Sequence, residues 1–277
     1  MRKKYSYCEK YSEKVEQYLK NHKIKYEVVG DGVLVSKLIS FVIYDSALSD
    51  SNLQYLIHSH PIVTNEFTQK ELRAAEFLSM RPARNVVNIT NTNEAFLYKC
   101  PGESLFGDRK FKHKEQIGQL RIKKINTKGR TAFFSSATGF SEIFAKEEVC
   151  ELIRNNNTTG VQITPVMLDV KNHEVFSGLC QLRSEKIISS EKIFIDTMQK
   201  VGKCPICGSL KVICKQDYQL KLIGTAQDLS DDFYMTEAIF GEGISYPLFI
   251  VSQRLYRLLV NAKTTRNVIF EPVIFMD

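Results

Sequence analysis

Tryptophan is absent from this chain of 277 residues, and proline occurs only seven times. There is no Pro-rich linker and no low-complexity segment, so composition marks no flexible tether between domains. No apolar run approaches the ~20 residues that a membrane-spanning helix needs. The chain also lacks GxxxxGK[ST], GxSxG, HExxH and a GxGxxG that opens a helix, which removes the usual phosphate-cradling, nucleophile-elbow and zincin chemistries. The cysteines number seven, an odd count that argues against a disulfide framework. The opening MRKKYSYCEKYSEKVEQ has a basic lead but turns polar, unlike a secretory signal. The expectation is a cytoplasmic protein, not a membrane one, whose cysteines stay as thiols or metal ligands. With no catalytic motif present, it is not expected to be an enzyme.

What is present is ordinary in amount and uneven in placement. The 43% apolar and 25% charged residues suit a globular chain long enough for one large domain or two modest ones. The formal charge is +7, and the stretch from Asp108 to Arg130 alone carries nine bases against two acids. Arg121, Lys123 and Lys124 lie in it, and Phe106 and Phe111 are interleaved, as on a surface that tracks phosphates and stacks bases. From Leu222 to Gln253 there are five acids and no Lys or Arg: Asp228, Asp231, Asp232, Glu237 and Glu242. Segments of this kind are usually solvated surface, and opposed faces also steer partners.

The periodicity predicts an amphipathic helix on Tyr11, Val15, Tyr18 and Leu19, followed by a hairpin around Gly-Asp-Gly in KYEVVGDGVLVSK. Thr68 to Glu71 has the capping-box pattern, expected to open a helix over ELRAAEFLSM before Pro82. Residues 141–168 and 247–275 then look like two copies of one unit: strand, polar turn, amphipathic helix, loop, and a strand ending in Pro-Val. Leu152 matches Leu258, and the step Pro165-Val166 matches Pro272-Val273. The buried helix faces are expected at Val149, Leu152 and Ile153, and at Leu255, Leu258 and Leu259. The expected fold class is α+β. It comprises an N-terminal α+β region over 1–94, a first repeat unit with the basic stretch over 95–190, and the cysteine turn with the second unit over 191–277.

The one stretch with dedicated chemistry is KCPICGSL at 203–210. Cys204 and Cys207 could hold a metal, run a disulfide, or simply flank a bend. A thioredoxin-type pair needs a helix start to lower its thiol pKa, and Gly208-Ser-Leu-Lys-Val-Ile-Cys214 reads as β instead. A zinc knuckle fits better, with thiolates presented from one tight turn. Tetrahedral zinc needs four ligands, however. The nearer candidates are Cys214, Cys180 and His173; the more distant are Cys100 and His113.

With CPICG, the C-terminal stretch from Asp231 to Phe275 resembles the double-CXXCG proteins, a family associated with immunity proteins of bacterial polymorphic toxin systems. The residues that carry the likeness are Asp232-Phe233, the strand LFIV, Ser252-Gln253-Arg254 and FEPV. Gln116 and Leu120 match the family's middle portion, so the likeness covers roughly 95–277. The family's first CXXCG is reduced here to Cys100-Pro-Gly-Glu, with His113 beyond it. The resemblance implies a non-catalytic protein that binds and blocks a cognate toxin. Any zinc would be structural, held by Cys204 and Cys207 with Cys100 and His113 completing the set. The acids Asp228, Asp231, Asp232 and Glu237, the aromatics Phe233 and Tyr234, or the bases Arg121, Lys123 and Lys124 would meet the partner. The alternative is a zinc-knuckle protein that binds nucleic acid.

Overall fold

The computed structural model describes residues 1–29, 37–44, 62–83, 86–98, 114–136, 142–172, 174–196, 200–213, 218–241 and 246–276. The Gly-Asp-Gly turn, Phe106, Phe111, Cys100, His113, His173, Cys214 and Glu242 lie outside the described residues. Contacts divide the chain into two units, one of residues 1–71 with 216–218 and one of 72–215 with 219–277.

The expected α+β class is overturned. Among the described residues there are 21 strands and five α-helices, and the longest helices span only nine residues, so the protein is mostly β. Strands pair with strands distant in sequence, which leaves no regular alternation of helix and strand.

The first unit is a four-stranded sheet in the order Tyr26–Val29, Leu38–Tyr44, Arg2–Lys10, Ile62–Glu66. Leu38–Tyr44 alternates intermediate and buried positions, the period-2 signature of a half-covered sheet. Its buried residues Ile39, Phe41 and Ile43 pack with Tyr7 and with Val15 and Leu19 of the helix Glu13–Asn21. Glu16, on the same helix, accepts hydrogen bonds from the hydroxyls of Tyr11 and Tyr26 and pairs with Lys20 at 2.9 Å. The capping box forms as well: the Glu71 amide donates to Thr68 Oγ1, and the Thr68 amide donates back to Glu71 Oε2.

The second unit holds two larger sheets built on a common plan. In one, Phe133–Ser136 pairs with Ile143–Ala145, which pairs with Val175–Ser184, which pairs with Val161–Leu168. In the other, Phe233–Phe240 pairs with Tyr246–Ser252, then Phe77–Pro82, then Val268–Pro272. The registers agree residue for residue. Phe133 faces Ala145 as Phe233 faces Val251. Cys180 lies between Ala145 and Pro165 as Leu78 lies between Val251 and Pro272. Lesser contacts repeat too: Ile89 bridges Ile122 as Ile193 bridges Leu222. Gln119 Nε2 donates to the Pro165 carbonyl at 3.0 Å, and Gln219 Nε2 to the Pro272 carbonyl at 2.7 Å.

These matches place the start of each copy well before its strand–helix–strand segment. The first copy leads with Phe77–Pro82 and closes with Val161–Leu168; the second leads with Val175–Ser184 and closes with Val268–Pro272. Each leading strand lies in the other copy's sheet, between the strands that flank the helix. The copies have exchanged strands, and neither sheet is complete without both.

Both copy helices, Glu147–Asn155 and Gln253–Asn261, bury one stripe. The buried residues are Val149, Cys150 and Ile153 in one and Leu255, Tyr256 and Leu259 in the other. Leu152 and Leu258 are only half-buried, so the stripe is rotated from the expected face by the same amount in each copy. Both helices are followed by a residue in the left-handed region, Asn157 and Lys263. Gly160 also has a positive φ, and a Cβ there would collide with the carbonyl oxygen of Phe233. Glycine at this position lets the copies approach closely.

Candidate functional site

The CPICG turn connects the antiparallel strands Lys200–Lys203 and Leu210–Ile213. The Cys204 amide donates to the Ser209 carbonyl and the Gly208 amide to the Cys204 carbonyl, both at 2.9 Å. Gly208 takes φ +73°, a left-handed conformation that glycine adopts without strain. Cys204 is buried, while Cys207 is half-buried with its sulfur 3.3 Å from Ser209 Oγ. The turn therefore offers two sulfur donors. Zinc needs four ligands, and no third donor from the described residues joins them in a ligand-sized group. The described residues alone do not fit a zinc site at this turn. Of the nearer candidates, Cys180 lies elsewhere, beside Glu147 and Cys150.

The residues expected to meet a partner fall into two groups. Asp232, Phe233 and Tyr234 are buried, which removes them from any contact surface. Phe233 stacks on Phe249 at 5.7 Å, and the Tyr234 hydroxyl accepts from the Asp231 amide at 2.6 Å. Asp232 accepts from Ser252 Oγ at 2.6 Å, Arg254 Nε at 3.0 Å and the Thr159 amide at 3.0 Å. Burial raises its pKa, but Arg254, Ser252 and Thr159 outweigh that and hold the carboxyl below its ordinary value. Arg254 also donates to the carbonyls of Asn156 and Asn157 at the end of the first copy's helix. The Asp-Phe and Ser-Gln-Arg pieces singled out in the sequence thus form a polar clasp between the copies.

The other acids are engaged nearer the surface. Asp228 closes a capping box with Thr225, Asp231 pairs with Lys186 at 3.3 Å, and Glu237 accepts from the Ser190 amide at 2.8 Å. The bases divide differently. Lys114 pairs with the buried Glu142 at 2.6 Å, and Arg121 pairs with Glu94. Lys123, Lys124, Lys128 and Arg130 are exposed and form no ion pair among the described residues. The backbone is anchored at the start of this stretch: the Lys123 amide donates to Asn88 O at 3.0 Å, and Ile122 O accepts from the Asp169 amide at 2.9 Å.

A second cysteine cluster went unrecognised in the sequence. Glu147 and Cys150 are three apart on one helix, a spacing that shares a face, and Cys180 approaches from the exchanged strand. One ligand atom from each lies within 4.8 Å of the others, so the group could hold a metal ion. Cys180 Sγ is 2.7 Å from Glu147 Oε2, and Arg154 donates to Glu147 Oε1 at 2.6 Å. A hydrogen bond with Cys180 and then burial push the Cys150 thiol up, and the same bond draws the Cys180 thiol down. Bonds from Cys180 and then Arg154 lower the Glu147 carboxyl. The i, i+3 pair was readable in the sequence; its partner 30 residues on was not, because the link runs through the strand exchange.

No helix among the described residues is long and apolar enough to cross a membrane. Comparison of the chain with protein-family models and with curated proteins returned no match.

Proposed function

We propose that this is a cytoplasmic, immunity-type binding protein that neutralises a cognate bacterial toxin by stoichiometric protein–protein contact, without turnover. The resemblance to the double-CXXCG proteins suggests the class. The observation that carries the mode of binding is the fate of the charges. Each described acid of the 228–237 stretch is engaged within the chain, whereas Lys123, Lys124, Lys128 and Arg130 are exposed and unpaired among the described residues. An exposed basic stretch of this kind suits an acidic partner: it speeds encounter and fixes register more than it adds affinity. On this reading any zinc is structural.

The test is a triple charge reversal, Lys123→Glu/Lys124→Glu/Lys128→Glu, in a strain that expresses the toxin encoded beside this protein. The expected result is an unchanged melting temperature with association slowed at least about tenfold and protection lost. Full protection by the reversed variant would overturn the reading. So would wild-type affinity for unrelated nucleic acid that falls steeply with salt and is abolished by the same reversal. That outcome would assign the face to the alternative, a nucleic-acid-binding accessory protein.

A further inference from the structure

We infer that Glu147, Cys150 and Cys180 form a site for one thiophilic divalent cation of the zinc class, which pins the first copy's helix to the strand exchanged from the second. The inference does not rest on the immunity reading, since it concerns only how this fold is held.

The internal duplication supplies a control. By register, the positions in the second copy that correspond to Glu147, Cys150 and Cys180 are Gln253, Tyr256 and Leu78. There Tyr256 and Leu78 are plain core, and Gln253 Nε2 donates to backbone carbonyls, including Leu72 O at 2.8 Å. The fold thus closes this junction with apolar packing and one amide. Thiols and a carboxylate are not needed for packing, yet all three have been placed together in one copy only.

Their chemistry converges on a particular ion. Two sulfurs and one carboxylate oxygen favour a zinc-like cation over magnesium or calcium, which prefer oxygen. Arg154 occupies Glu147 Oε1 and leaves Oε2 turned toward Cys180, the arrangement in which an outer partner orients a ligating carboxylate. A dication with two thiolates, one carboxylate and the Arg154 guanidinium has no net charge, so the ion enters a buried place without leaving one uncompensated. The fourth coordination position falls to solvent beside Glu147, whose side chain is 40% exposed. Both sulfurs bind a cation as thiolates, so affinity weakens as pH falls.

The experiment uses the full chain carrying Cys204→Ser/Cys207→Ser, so that the CPICG turn contributes nothing. The metal-free protein is titrated with cobalt(II) in the presence of a non-thiol reductant. Expected are one equivalent bound per chain, a near-ultraviolet thiolate-to-cobalt charge-transfer band, and a raised melting temperature. The band is lost in Cys180→Ser and, independently, in Cys180→Val, whose apolar side chain preserves packing as Leu78 does in the other copy. Glu147→Gln weakens binding by about 10–100-fold. Failure of the folded Cys204→Ser/Cys207→Ser protein to take up cobalt would overturn the inference. An unchanged band in Cys180→Val, or a Cys150–Cys180 disulfide in protein purified under reductant, would overturn it equally.

Discussion

Asp232 shows how misleading a charged run is when read residue by residue. It sits among acids in a segment without a base, where solvent exposure is the default, yet it is buried and holds Ser252, Arg254 and Thr159. A carboxylate survives burial only when its lone pairs are satisfied, and two other segments of chain, at Thr159 and at Ser252–Arg254, meet that need here. Arg254→Ala should therefore cost about 2–3 kcal/mol in urea unfolding. That lies below the ~3–5 kcal/mol for breaking a fully buried pair, because the arginine side chain is 58% exposed and partly screened. The folded-state pKa of Asp232 is depressed, so its contribution is present above the ordinary carboxylate pKa and fades as pH falls below it. Asp232→Asn should flatten that acid limb. A loss under about 0.5 kcal/mol for Arg254→Ala would mean that the clasp contributes nothing beyond packing.

At the scale of elements, the helix Glu13–Asn21 depends on more than its apolar stripe. Tyr11, then Lys20 and Tyr26, hydrogen-bond the Glu16 carboxylate and lower its pKa to about 2. The bonds tie the helix to the strand Tyr26–Val29 and to the chain entering it. Stability from this group is fully present above its unfolded pKa, near 4.5, and is lost as pH falls toward 2. Hydrogen exchange of this helix should accelerate across that window in the wild type, and Glu16→Gln should remove the pH dependence while lowering protection at neutral pH. Much of this level was legible in advance. Val15 and Leu19 fall on the predicted stripe, Thr68 and Glu71 cap as their spacing demands, and the Pro-Val strands follow their helices. What local pattern could not supply was the rotation that replaces Leu152 and Leu258 by Cys150 and Tyr256. The covering strand sets that angle, and it comes from the other copy.

At the scale of the whole molecule, the strand exchange separates sequence neighbourhood from structural neighbourhood. The repeat was visible over 141–168 and 247–275 because those segments are contiguous. The leading strands were missed: Phe77–Met80, expected as the end of a helix that in fact stops at Ala74, is strand because its partners lie about 170–190 residues downstream, and no periodicity encodes so distant a pairing. The strand exchange also hid the Glu147, Cys150 and Cys180 cluster, and it made α+β the natural reading of segments that, once paired, are mostly sheet. The exchange has a direct experimental consequence. Chains of residues 72–168 and 175–277, made separately, should each lack cooperative unfolding by circular dichroism, because each lacks the strand that completes its sheet. Mixed in equal amounts, they should regain a single transition. Cooperative unfolding of either piece alone would show the exchange to be dispensable.

The exchange also bears on the order in which the protein is made. Phe77–Pro82 leaves the ribosome well before the two strands it lies between, Tyr246–Ser252 and Val268–Pro272, which are synthesised about 170–190 residues later. At about 5–20 residues per second, this apolar segment waits on the order of ten to forty seconds for its neighbours. For that interval the nascent chain carries an orphaned β-edge in need of shielding, and translation speed becomes part of how the molecule reaches its native state.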